Sequence, residues 1–229
     1  MRIVSFPWHV VLVALLLPGL KGLPARGADG DSDLLRQADA AIESCRKGTL
    51  VIHAAPETEV SVEQVRHQFW FGAALSSSAF GGGRMDPQDR EKYRSVFLEN
   101  FNAAVTENAL KWPSMEPRRG DVNYAVVDAI LKWSDEHELP LRGHNLFWGI
   151  SNFVQPWVKS LSDEELRDVL PARALDIGRR YRGRFAEYDL NNEMLHGNYY
   201  EQRLGKEITL QMAQWVRAGD PHAVLFLND

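Results

Sequence analysis

The feature that most constrains the fold is a buried-strand pattern that ends abruptly in polar residues. Residues 185–190 are rich in apolar and aromatic side chains and run directly into Asn191, Asn192 and Glu193. Strands of a parallel α/β barrel present their chemistry at their C-terminal ends in this way. Glu193 is therefore the first catalytic candidate, and the apolar run before it is expected to favour the neutral, proton-donating form. An ordinary strand end with solvated polar residues is the alternative interpretation.

Similar apolar runs recur along the chain and alternate with segments that have helical periodicity. The predicted strands are residues 69–75, 101–106, 141–148, 185–190 and 223–227. The predicted helices cover residues 86–98, 123–138 and 201–218, with a further long helix that opens at the capping box Ser162–Glu165. Pro171 is expected to kink or split that long helix. This alternation predicts an α/β fold with a parallel sheet and crossover helices.

Three motifs occur in a fixed order at the ends of three predicted strands. They are E-N-x-x-K-W at residues 107–112, R-G-H-x-L-x-W at residues 142–148 and N-E at residues 192–193. Their types and order resemble glycoside hydrolase family 10, the endo-1,4-β-xylanases. The resemblance implies a (β/α)8 TIM barrel. Such a barrel needs about 250 residues, whereas residues 69–229 number 161, so we expect an incomplete barrel of about five βα units.

The resemblance also assigns roles to individual residues. Retaining hydrolysis of a β-glycosidic bond uses two carboxyl groups about 5–5.5 Å apart, and Glu193 matches the family's general acid/base. Asn192 matches the residue that binds the sugar 2-hydroxyl group. The other matched positions are substrate-binding residues around the sugar beside the cleaved bond: Glu107, Asn108, Lys111, His144 and Trp148. Trp112 is interpreted as a packing residue.

Without the resemblance, each of these residues has a structural interpretation. Glu107 and Lys111 have the spacing of a helical surface pair, Trp148 has the character of a core residue, and His144 that of a hydrogen-bonded structural histidine. The chain also departs from the family, since Gly149 replaces a frequent histidine and Asn191 replaces a frequent apolar residue. The choice between xylan and another β-1,4-glycan therefore stays open.

The family's nucleophilic glutamate lies on the seventh barrel strand, and no residue of these 229 is assigned to it. We therefore expect the chain by itself to be inactive and, with unpaired sheet edges, to be poorly stable. The alternative function is a non-catalytic carbohydrate-binding protein. No histidine or cysteine spacing indicates a metal site, and no motif indicates a cofactor.

The N-terminal residues predict export. An apolar run at residues 10–17 follows Arg2 and is too short to span roughly 30 Å of hydrocarbon, which is typical of a signal peptide at residues 1–27. An uncleaved membrane anchor is the alternative. We expect a secreted or periplasmic protein. Residues 28–68 are predicted as an N-terminal extension with a small β-hairpin at residues 48–65, and residues 69–229 as the barrel domain.

The net charge limits the classes of partner, and the cysteine count limits the disulfides that can form. The formal net charge is −5, and residues 1–27 contribute three basic residues and no acidic residue to it. A negative chain argues against nucleic acid and anionic membranes as partners. Cys45 is the only cysteine, so no internal disulfide forms. We expect a monomer that acts on a neutral glycan.

Overall fold

The computed structural model describes residues 28–65 and 67–229, and the predicted signal peptide lies outside the described residues. The chain divides into two compact units, Met1–Arg66 and His67–Asp229. No helix within the described ranges combines the length and the apolar character needed to cross a bilayer.

In the first unit, helix α1 spans Ala28–Cys45. The hairpin predicted at residues 48–65 was wrong, because these residues form no strand and only a turn near Pro56. Leu50 is 68% exposed and Val65 is 90% exposed. Alternating apolar residues form a strand only when a neighbour pairs with the backbone and buries one face, and the side chains of Leu50 and Val65 are not buried in this way.

The second unit contains a parallel sheet, which confirms the predicted α/β class and the incomplete barrel. Its strands are β1 (Gly72–Ala74), β2 (Ala103–Val105), β3 (Leu141–Gly143), β4 (Phe147–Trp148), β5 (Glu187–Asn192) and β6 (Leu225–Asn228). The order is β1-β2-β3-β5-β4, with β6 also paired to β5. Within the described part of the chain β1 pairs only with β2, so the sheet is open. The segment predicted as one strand at residues 141–148 forms both β3 and β4.

Helices follow the strands and cover the sheet. They are α2 (Pro87–Asn100), α3 (Trp112–Met115), α4 (Ala125–Glu136), α5 (Pro156–Lys159), α6 (Asp163–Arg180), α7 (Tyr199–Leu204) and α8 (Ile208–Gly219). Local chemistry sets their starts: the Asp86 carboxylate accepts a hydrogen bond from the Gln88 N–H at 2.8 Å to cap α2. The capping box of Ser162 and Glu165 opens α6 as predicted.

Two helix predictions needed correction. Pro171 lies inside α6 and does not split it; Leu166 and Leu170 before it and Ala174 after it are all fully buried, so packing holds both halves in one helix. The single helix predicted at residues 201–218 is two helices, α7 and α8. Gly205 ends α7 with a φ of 96°, a backbone conformation that glycine adopts without steric cost.

The core lies between the sheet and the helices, and the central strands are more deeply buried than the edges. Gly143 of β3 allows the close approach of Tyr188 of β5, because a Cβ atom at Gly143 would lie 2.6 Å from the Tyr188 ring. The predicted burial of residues 69–75 was wrong for Phe69 and Phe71, which are 59% and 64% exposed. They precede the three-residue strand β1, which lies at the sheet edge and has a single strand neighbour in the described residues.

Candidate active site

The parallel register brings the predicted site residues to one edge of the sheet. Trp148 at the end of β4 pairs with Asn192 of β5, and Asn192 pairs with Asn228 of β6. Glu193 follows immediately, and its N–H group donates to the Asn228 carbonyl oxygen at 2.6 Å. Because all carboxyl ends of parallel strands meet at one edge, three distant stretches of sequence become neighbours here.

Glu193 is fixed through both its backbone and its side chain. Its φ is 53°, a left-handed value that non-glycine residues adopt rarely and that is often found at functional sites. The indole Nε1–H of Trp148 donates to Glu193 Oε2 at 2.8 Å. The carboxyl group is half-buried, so one oxygen is held by the protein while the residue remains accessible to a ligand.

Lys111 lies beside the same carboxyl group. Its Nζ donates to Asn108 Oδ1 at 2.9 Å and lies 4.5 Å from the centre of the Trp148 ring. Burial lowers the pKa of Lys111, against the opposing attraction of the Glu107 and Glu193 carboxylates. Residues 107–110 form a turn and not a helix, so the helical surface pair considered for Glu107 and Lys111 is not what forms.

Buried residues hold the turn at residues 107–110 in place. Trp112 is 2% exposed and its Nε1–H donates to Glu116 Oε2 at 2.7 Å, so the structure places it as a packing residue. Arg173 on α6 is buried and donates from Nη2 to the Leu110 carbonyl oxygen at 2.8 Å. Burial lowers the pKa of Arg173 to about 10. The long helix α6 thus holds the turn after β2 in place.

His144 is held by a buried carboxylate that the sequence analysis missed. Asp189 of β5 is 2% exposed, and its Oδ2 lies 2.7 Å from His144 Nδ1. Arg142 of β3 donates to the other oxygen of Asp189 and, at 2.9 Å, to Glu187. Burial opposes the charged carboxylate, but the hydrogen bonds from His144 and Arg142 outweigh it and lower the pKa of Asp189. The signal that would have found it was charged residues inside otherwise apolar strands.

The two asparagines before Glu193 have separate partners. Asn192 is 3% exposed and its Oδ1 accepts from Asn228 Nδ2 at 2.6 Å, which directs the amide nitrogen of Asn192 away from this contact. Asn191, the departure from the family pattern, donates from Nδ2 to Thr209 Oγ1 of α8 at 3.2 Å. The structure therefore accommodates Asn191 through α8 and leaves Asn192 at the site.

A cavity of about 510 Å³ lies at the Glu107 side of the site. Glu107 and Asn108 line it together with small polar residues that follow β1, Ser76, Ser77 and Ser78. Among the described residues, no group of three or more histidine, cysteine, aspartate or glutamate side chains is arranged to hold a metal ion. The seven predicted site residues thus lie at the carboxyl ends of β2, β3, β4 and β5 or in the segments that follow these ends.

Comparison with known proteins agrees with this arrangement. Residues 62–229 match the family model of glycosyl hydrolase family 10. Endo-1,4-beta-xylanase 1 of Arabidopsis thaliana is 34% identical over 95% of this chain, and endo-1,4-beta-xylanase 3 of the same plant is 38% identical over 74% of it. The chain spans 22% of the length of each of these relatives.

The fold agrees with solved structures as well. Xylanase 10B from Thermotoga petrophila, solved in complex with xylobiose, superposes with a TM-score of 0.62 at 24% identity, over 70% of this chain and 49% of that chain. The family model covers the strand ends that are followed by Glu107, His144 and Glu193. The chain belongs to glycosyl hydrolase family 10.

Proposed function

We propose that the chain provides the acid/base half of the active site of a secreted, endo-acting, retaining xylanase. The observation that carries the proposal is the environment of Glu193, which is held by the indole N–H of Trp148 at 2.8 Å beside the ammonium group of Lys111. The names of the relatives, endo-1,4-beta-xylanases, support xylan as the substrate class.

The geometry suggests how Glu193 acts. Because the Trp148 N–H donates to Oε2, that oxygen is an acceptor, and Oε1 is left as the oxygen that exchanges a proton with the ligand. Oε1 then protonates the glycosidic oxygen as the bond breaks, and later removes a proton from the attacking water. Nearby Lys111 adds a positive charge that stabilises the carboxylate formed in the first step.

The surrounding groups suit a polyhydroxylated ligand. Asp189 orients His144 through Nδ1, which leaves Nε2 to contact a sugar hydroxyl. The amide nitrogen of Asn192 is suited to the 2-hydroxyl group, where a hydrogen bond strengthens in an oxocarbenium-like transition state. Carboxylate, amide and ammonium groups of Glu107, Asn108 and Lys111 supply further hydrogen bonds.

The nucleophile is a separate part of the proposal. Retention requires a second carboxyl group about 5–5.5 Å from Glu193, and no residue of this sequence is assigned that role. We expect this 229-residue chain by itself to show only background hydrolysis of xylan. The second candidate function, a non-catalytic carbohydrate-binding protein, rests on the same observation.

The test is the stereochemistry of the product. A form of the protein that hydrolyses xylan is incubated with xylohexaose, and the anomeric configuration of fresh products is followed by NMR. Net retention supports the proposal, and inversion contradicts it. Titration of xylo-oligosaccharides and matched cello-oligosaccharides against the 229-residue chain separates xylan from other β-1,4-glycans. Binding without hydrolysis favours the second candidate function, and an absence of binding to either series removes it.

Export and a monomeric state complete the proposal. The apolar run at residues 10–17 supports cleavage near residue 27. N-terminal sequencing of protein recovered outside the cytoplasm tests this prediction, and an intact N-terminus in the membrane fraction would favour the anchor. Light scattering coupled to gel filtration measures the oligomeric state.

A further inference from the structure

The indole ring of Trp148 is enclosed on three sides. Its Nε1–H edge donates to Glu193 at 2.8 Å. The Phe153 ring lies parallel to it, with ring centres 3.8 Å apart and an angle of 10° between the planes. A parallel ring at this distance fills the space above one face, so the Lys111 ammonium, 4.5 Å from the ring centre, lies over the opposite face. Trp148 therefore has no open face on which a sugar ring can stack.

Phe153 has the open aromatic face that Trp148 lacks. It lies in the short 3₁₀ turn Ser151–Phe153 between β4 and α5, and its N–H donates to the Ile150 carbonyl oxygen at 2.9 Å. Although one face of its ring covers Trp148, the residue is still 46% exposed. The exposed area therefore includes the outer face of the Phe153 ring. This face lies further from Lys111 than the Trp148 ring does, by the thickness of one ring.

The exposure of Phe153 is not the result of a loose segment. The next two residues, Val154 and Gln155, are 3% and 4% exposed, and Gln155 begins helix α5 as its N-cap. Buried neighbours on the C-terminal side and the stack on Trp148 hold the ring in one orientation. A single exposed aromatic residue needs no explanation by itself, but one held parallel against the tryptophan that fixes Glu193 is a prepared surface beside the reacting group.

We propose that Phe153, and not Trp148, is the aromatic stacking residue for the glycan chain, binding the apolar face of a sugar ring one or more positions away from the cleaved bond. This inference rests on the proposed function. Sugar rings present C–H groups on their faces, and aromatic side chains in binding sites contact such apolar surfaces. Trp148 serves the acid/base through its N–H and supports Phe153 through its face.

The length of the ligand separates stacking from a purely packing role. If Phe153 contacts a distal sugar, Phe153→Ala weakens the binding of xylopentaose and xylohexaose about three- to tenfold and leaves xylobiose unchanged. If Phe153 only holds Trp148 in place, the loss is the same at every length. Dissociation constants are measured by calorimetry for xylobiose through xylohexaose with the 229-residue chain.

Three variants serve as controls. Phe153→Tyr keeps the aromatic face and should bind like the original chain, whereas Phe153→Leu keeps bulk against Trp148 and should behave like Phe153→Ala. Phe69→Ala removes an exposed aromatic side chain at the amino end of β1 and should change nothing. A length-independent loss, or full affinity in Phe153→Leu, overturns this inference alone. Failure of the unchanged chain to bind any xylo-oligosaccharide also overturns this inference, whereas the acid/base role of Glu193 is tested separately by the stereochemistry of the product.

Discussion

Strands β5 and β6 are neighbours in opposite environments. Both end in asparagine and they pair in parallel with Asn192 opposite Asn228, although β6 begins with three apolar residues and β5 contains Glu187 and Asp189. Residues 188–192 of β5 are all buried, whereas Phe226 and Leu227 of β6 are 39% and 62% exposed. The difference lies in their partners, since β5 pairs with β3, β4 and β6, and β6 pairs with β5 alone among the described residues.

This comparison shows what an apolar run determines. Such a run gives a strand the capacity to be buried, and the neighbouring strands and helices decide whether it is. The surroundings of individual side chains differ between the two strands as well. Asp189 of β5 is enclosed by Arg142 and His144, while on β6 Phe226 is covered by the guanidinium of Arg142 at 4.5 Å and otherwise faces outward.

The largest effect is expected at the functional end of β5. In a form of the protein that hydrolyses xylan, Glu193→Gln should lower kcat by about 10²- to 10⁴-fold on xylo-oligosaccharides, because general acid catalysis is lost. Aryl xylosides with good leaving groups need less protonation and should lose less. Asn228→Ala, at the matching end of β6, should lose far less activity on both substrates. Equal losses for the two substrates would contradict the acid/base role.

A matched pair of leucines tests the difference in burial directly. Leu190 of β5 is 2% exposed and Leu227 of β6 is 62% exposed. We expect Leu190→Ala to lower the free energy of unfolding by about 2–5 kcal/mol and Leu227→Ala by less than about 0.5 kcal/mol. Urea unfolding followed by circular dichroism measures both. A large loss in Leu227→Ala would show that β6 is covered in solution by something other than the described residues.

The buried carboxylate of β5 should have a smaller and pH-dependent effect. Asp189→Asn removes the charged partner of Arg142 and His144, and we expect a loss of about 2–3 kcal/mol at neutral pH, since Arg142 keeps Glu187. Because the pKa of Asp189 is lowered in the folded state, its stabilisation is complete above the unfolded pKa of about 3.9 and is lost as pH falls through the folded pKa.

Unfolding free energies of both forms between neutral and acidic pH check this sign. The difference between the original chain and Asp189→Asn should shrink as the pH falls below about 4. A difference that grows in that range would mean that the pKa of Asp189 is raised, and not lowered, in the folded state.

The smallest effect is expected on the exposed face of β6. Phe226→Leu keeps an apolar side chain and removes the ring beneath Arg142, so we expect a loss of about 0.5–1 kcal/mol. Combining this change with Asp189→Asn in a double-mutant cycle tests whether Arg142 links β3, β5 and β6. Additive losses would show that the two contacts of Arg142 are independent.

The seven candidate site residues, which came from the resemblance of the motifs to a family, stay a prediction. The sequence by itself predicted the parallel α/β class and the order of most strands and helices. It succeeded there because apolar period, capping chemistry and strand-end polarity are local properties. It also predicted where α6 begins, because Ser162 and Glu165 form the hydrogen bonds of the capping box within one turn. Buried support residues such as Asp189 were missed, since their partners are about 45 residues away.

Only the tertiary structure decided which apolar runs are buried and how each site residue is used. Residues 48–65 carry a strand-like alternation and form no strand in the described structure, and their apolar side chains Leu50 and Val65 are exposed. Tryptophan is a residue type suited to stacking on a sugar ring. In Trp148, however, Phe153 and Lys111 cover the ring, and the N–H group contacts Glu193. Periodicity is a property of consecutive residues, whereas the burial and orientation of a side chain depend on neighbours that the fold brings from elsewhere in the chain.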